Sequence, residues 1–123
     1  MNETETEIAV LREMLRWLRD PEHWVKKSYM SLGRMCLTAA HGSICYQNPF
    51  YWMTWRDGEG PSLSLRTLAD VIREQYPERA PVRQGPGLRP AGEIVLFNDH
   101  PDTVHADIIS VLEKSIARLE EAA

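Results

Sequence analysis

The chain has 123 residues, 43% hydrophobic and 26% charged, with a formal net charge of −4. That length fits one domain able to bury its own core, and the acidic balance argues against general nucleic-acid binding, which depends on a basic field. No apolar run approaches the ~20 residues needed to span a bilayer, so membrane insertion is not expected.

The acidic start, Met1-Asn2-Glu3-Thr4-Glu5, lacks the basic region of a signal peptide. The two cysteines, Cys36 and Cys45, are too few for a disulfide framework and read as reduced, unpaired thiols. A cytoplasmic setting is expected.

The first helix is expected over 6–19. Ile8, Val10, Leu11, Met14, Leu15, Trp17 and Leu18 share one half of the helical wheel, opposite Arg12, Glu13, Arg16 and Arg19. Thr4 or Thr6 is the expected N-cap, and Asp20-Pro21 stops the helix because the residue before a proline is pushed from the α region. His23 to Tyr29 reads as extended or as a turn, anchored by Trp24 and Tyr29. Gly33 and Gly42 bracket Arg34–His41, a small-residue apolar segment expected to form a short buried helix. Gly42 would sit just past its end, with a protonated His41 at the negative pole of the dipole.

Residues 46–55 hold Tyr46, Phe50, Tyr51, Trp52 and Trp55, half of the chain's aromatics. Neither a helical nor an alternating period fits them, and Asn48-Pro49 and Asp57–Pro61 frame them as irregular structure. A helix is expected over 63–76, capped by Ser62 or Ser64 and closed by Pro77. Residues 77–92 carry four prolines, three glycines and three arginines and read as a long loop within the domain.

Ile94–Phe97 is an apolar run read as a short strand over 93–97, part of a minor two-stranded element. It meets the polar turn Asn98–Thr103. The last helix is expected from about Thr103 to Glu121, capped by Asp102 or Thr103, with Val104, Ile108, Ile109, Val111, Leu112, Ile116 and Leu119 inward. The fold expected is therefore mainly α: one domain over 1–123, a bundle of three long helices plus one short buried helix. Leu11, Leu15, Leu68, Ile72, Ile108 and Leu112 should meet in its core.

The chain resembles an uncharacterised family of small actinobacterial and actinophage proteins. The resemblance lies in Trp24, in Cys36-Leu37-Thr38-Ala39-Ala40, and in Phe97-Asn98-Asp99-His100-Pro101-Asp102-Thr103 followed by the helix through Leu119. It implies the helical fold and a bacterial or phage setting, and supplies no activity.

Three candidate sites compete. In an enzyme or ligand-binding domain, Asn98, Asp99, His100 and His105 would share a pocket, a carboxylate orienting an imidazole and a carboxamide donating to an oxyanion. Asn98 and Asp99 are better suited to an Asx-turn that bonds backbone amides and holds the corner, with His105 a satisfied core histidine. A metal site is not expected, since Cys36 and His41 are five apart and no Cys-x-x-Cys or His-x-x-x-His pair occurs; no cofactor is expected either. Cys36 does not suit a nucleophile, because burial raises a thiol pKa.

The aromatic block is the leading candidate. Tyr and Trp dominate binding hot spots, so Tyr51, Trp52, Trp55 and Arg56 read as a surface for a protein partner or a second copy. The alternative is a second core cluster beneath the loop. Arg79, Arg83 and Arg89 could frame such a patch for an acidic partner. The expectation is a non-catalytic interaction domain, with the enzyme at Asn98–His105 as the other possibility.

Overall fold

The structure is a computed structural model that describes residues 2–28, 30–51, 62–79 and 90–123, the side chains of 90 and 91 excepted. Its elements are α1 (Glu3–Leu18), a 3-10 turn (Pro21–His23), β1 (Met30–Ser31), β2 (Arg34–Met35), α2 (Leu37–Tyr46), α3 (Leu63–Gln75), α4 (Pro90–Asp99) and α5 (His105–Ala122). Among the described residues the protein is mainly helical, with one small two-stranded antiparallel sheet. No helix among the described residues is long and apolar enough to cross a membrane.

α5 packs chiefly on α1 and α3, α4 lies against α3 and α2, and α2 lies against α1. One hydrophobic cluster joins all five helices: Leu11, Met14 and Leu18 meet Leu37, Leu68, Ile72, Ile94, Phe97, Ile108 and Leu112, all fully buried or nearly so. Five of the six expected core residues are buried there, and Leu15 packs on the edge. Trp17 and Val104, expected inward, are exposed.

The helix ends follow backbone chemistry that periodicity does not reveal. α1 begins three residues early because the Asn2 side chain accepts from Glu5 N at 2.8 Å, displacing Thr4 and Thr6 as cap. Ser62 caps α3 as one of the two expected residues, accepting from Leu65 N at 3.3 Å. α5 starts at His105, with Val104 at the cap position rather than Asp102 or Thr103. Asp107 reaches back to Val104 N at 3.1 Å, so the carboxylate three residues inside the helix does the work of the cap.

Two expectations are overturned. The apolar run 94–97 is not a strand: it lies in α4, where Ile94, Phe97 and Asn98 are fully buried while Val95 and Leu96 are half-buried. Spacings of three and four are helical, and four consecutive apolar residues cannot distinguish the two periods. α4 starts on Pro90, a residue suited to the first helical position because its missing N–H would have no partner there. The Pro/Gly/Arg segment therefore ends earlier than 92; its residues 80–89 lie outside the described set.

The second correction shifts the small-residue helix. Arg34 and Met35 form β2, Cys36 caps α2, and the helix ends on Gln47 in the left-handed conformation. Gly42 is inside α2, where a Cβ would stand 2.6 Å from the Asn48 carbonyl oxygen. The glycine is needed for close approach rather than for chain reversal. The actual β element is the hairpin Met30–Met35.

Leu112 is fully buried at the junction of α5 with α1 and α3. Leu112→Ala is expected to lower unfolding stability by roughly 2–5 kcal/mol through lost transfer free energy and the residual cavity. Urea denaturation measures this; a loss below ~0.5 kcal/mol, the range of surface substitutions, would place α5 at the periphery.

Candidate functional site

Asn98 stands on the last turn of α4 with its side chain wholly buried. Its Oδ1 accepts from Trp24 Nε1 at 2.8 Å and from Leu37 N, the first amide of α2, at 3.2 Å. Its Nδ2 donates to the Val25 carbonyl and to Asp99 Oδ1, both at 3.0 Å. Two acceptor positions and two donors are the whole capacity of a carboxamide, and all four are used inside the chain. A helix leaves its first amides without partners; Asn98 supplies one for α2 from a distant part of the sequence.

The neighbouring residues continue the lacing. Asp99 Oδ1 accepts from Lys27 N at 2.7 Å, and Lys26 Nζ donates to the His100 carbonyl at 2.8 Å. His100 Nδ1 accepts from Asp102 N at 3.1 Å, and His105 Nε2 donates to the Leu18 carbonyl at 2.6 Å. Among the described residues, no hydrogen bond joins Asp99 to either histidine. The expected catalytic set is close in sequence, but each member is turned to a different backbone partner.

Beside it the Tyr76 ring carries Arg79 stacked 4.5 Å from its centroid, and Arg79 Nη1 donates to Asp107 Oδ2 at 2.8 Å. Burial alone would raise the Asp107 carboxyl, but the Val104 amide, the Arg79 guanidinium and the Tyr76 hydroxyl together hold it below its ordinary value. Arg79 is thus committed to an internal ion pair. Arg83 and Arg89 lie outside the described residues.

Sequence reasoning missed a second polar cluster. His41 is fully buried in α2, its Nε2 lying 2.9 Å from Ser64 Oγ, 3.1 Å from Ser62 Oγ and 3.7 Å from Cys45 Sγ. Burial lowers its pKa to about 4, so the ring is neutral rather than the protonated helix-end residue expected. A neutral imidazole beside hydroxyls has the parts of a nucleophile and base. Here Ser64 is fully buried and Ser62 already caps α3, so the cluster pins α2 to the start of α3. The pair Ser62-x-Ser64 at a helix start was the available signal, but nothing local linked it to a histidine 21 residues earlier.

Both cysteines are free. Burial, and the nearby Glu7 carboxylate, push the Cys45 thiol up to about 11, and burial also raises Cys36. Neither is activated as a nucleophile. Among the described residues, no group of three or more metal-ligating side chains converges.

Of the expected binding residues, Tyr51 is described. It is half-buried, packs on the core edge and stacks on Tyr46 at 3.8 Å with planes 15° apart. Tyr46 and Phe50 are 42% and 45% exposed. Trp52, Trp55 and Arg56, like Tyr29, lie outside the described residues.

These features define a small, mainly helical fold stitched together by buried polar side chains. The chain belongs to the Family of unknown function (DUF6197), which matches residues 2–118. Comparison with curated proteins and with solved structures gives no match.

Two outcomes follow. Asn98→Ala would strand the Leu37 amide, the Val25 carbonyl and the Trp24 indole N–H, and is expected to cost at least about 2 kcal/mol, each stranded buried group costing ~1–3. Chemical denaturation checks it.

His41 has a folded pKa below its unfolded value, so the unfolded chain takes up the proton first. Its contribution is full above the unfolded value of 6.5 and is lost as pH falls toward about 4. That displacement corresponds to roughly 3 kcal/mol. Urea midpoints measured across this window should fall less for His41→Gln than for the parent protein.

Proposed function

We propose that this chain is a non-catalytic protein-interaction domain, an accessory protein of an actinobacterium or its phage acting inside the cell. It docks through Tyr51, Trp52, Trp55 and Arg56 onto a protein partner or a second copy. The observation that carries this reading is how the polar groups are spent. Every hydrogen-bonding position of Asn98 is occupied within the chain, and Asp99, His100 and His105 each bond the backbone. The enzyme reading at Asn98–His105 loses support on that account, because a catalytic group must turn toward substrate.

At the entrance to the aromatic segment, Tyr46 and Phe50 leave almost half of their surface in water. Large apolar surfaces are seldom left bare on monomers, and aromatic side chains recur at interface hot spots. Two free cysteines suit a reducing compartment.

A Trp52→Ala, Trp55→Ala double variant should retain its helical circular dichroism and lose association, read by light scattering for a second copy and by parallel pulldowns for another protein. Unfolding of the variant would make these rings core. A folded variant that associates unchanged would move the interface elsewhere.

A further inference from the structure

The hairpin between β1 and β2 turns on two residues, Leu32 and Gly33, with φ of 51° and 83°. Positive φ at both central positions is the signature of a type I′ turn, which favours Asn, Asp or Gly. Leucine is disfavoured there by its backbone, and this one is also 100% exposed. An apolar side chain held in water on an unfavourable backbone is a projecting knob.

A hole lies beside it. Glu13 and Trp17 of α1, Ala40, Ser43 and Ile44 of α2, and Met35 of β2 line a groove of about 270 Å³. Ala40 and Ser43 leave the space, and Trp17 and Ile44 wall it, respectively 40% and 36% exposed. His23 stacks on Trp17 at 3.8 Å and donates from Nδ1 to the Trp17 carbonyl at 2.8 Å, so that wall is set before anything binds. The volume falls just below the ~300–1,000 Å³ of small-molecule pockets, which suits a side chain better than a cofactor.

Charge selects the occupant. Residues 25–35 contain Lys26, Lys27 and Arg34 and no acid, whereas the groove rim carries the Glu13 carboxylate. Glu13 pairs with Arg16 at 3.0 Å in the open, a contact worth little that competes weakly with an incoming cation. Met35 belongs both to the hairpin and to the groove, so the knob stands three residues from the hole's lining, close enough for a two-fold contact in which each copy gives one and takes the other.

We propose that two copies of this chain associate through this face, Leu32 of each entering the groove between α1 and α2 of the other, with Arg34 meeting Glu13 across the contact. The proposal goes beyond the interaction reading above and rests on Leu32 and the α1–α2 groove rather than on the aromatic segment.

Sedimentation velocity over about 1 to 100 µM, where contacts at the small end of the interface range form, should show a reversible dimer. Leu32→Asn puts a residue favoured by the turn in place of the knob. It should keep or raise the melting temperature while weakening the dimer at least ~10-fold. Glu13→Arg and Arg34→Glu should each weaken it, and their equimolar mixture should restore a heterodimer.

A wild-type monomer throughout that range would overturn the proposal, as would a dimer indifferent to Leu32→Asn or a mixture that fails to reassociate. Unfolding of Leu32→Asn would also sink it, by making Leu32 a structural residue. If the Trp52→Ala, Trp55→Ala variant dissociates the dimer and Leu32→Asn does not, the aromatic segment is the contact: this proposal fails and the interaction reading stands.

Discussion

The Asn98 carboxamide is the constraint on which the rest of this fold depends. It joins three parts of the chain that are distant in sequence: the end of α4, the Trp24-Val25 pair through its indole and carbonyl, and the first amide of α2. Hydrophobic burial brings these parts near one another but is non-directional. The carboxamide fixes their register, because any slide strands a buried donor or acceptor. With Lys26 and Lys27 bonded to the same turn, the segment leading into the hairpin is held against the end of α4, and the hairpin is aimed by that attachment.

A second lock acts in the middle of α2. His41 is kept neutral by burial and faces Ser62 and Ser64 at the start of α3. α2 is therefore fastened at its first amide by Asn98 and in its body by an imidazole, while its small residues allow α1 close by. Short and nearly uniform in hydrophobicity, it has little amphipathic drive of its own, and helices of about ten residues are marginal in isolation. Polar side chains from α3 and α4 supply what its own sequence lacks.

The long helices were legible because their apolar residues recur with the helical period: α1, α3 and α5 fall close to the expected ranges, and their inward leucines and isoleucines are in the core. What was not legible is what depends on distant partners. Ile94–Phe97 looks the same whether wound or extended, and Pro90 gains its meaning only as a helix start. Gly42 suggested an ending, yet it is an interior position chosen by a carbonyl six residues ahead. At the polar turn the sequence pointed to the right residues for a reason it could not choose. Asn98 is central, and its role follows from Trp24, Val25 and Leu37, more than 60 positions away. The His41 cluster showed locally only as Ser62 and Ser64 at a helix start, with nothing to link them to the histidine.

The close approach at Gly42 has a wider consequence. The Asn48 carbonyl presses on the α2 backbone where a methyl group would stand and accepts from Tyr51 N at 3.1 Å, while the Asn48 side chain accepts from Phe50 N at 3.0 Å. The chain leaving α2 is thus folded back as a short rigid collar rather than paid out as a tether. The turn from Asn48 to Tyr51 is held against α2, and that placement is written into a hydrogen atom at position 42. Any side chain at this position would force the Asn48–Tyr51 turn away from the helix it leaves.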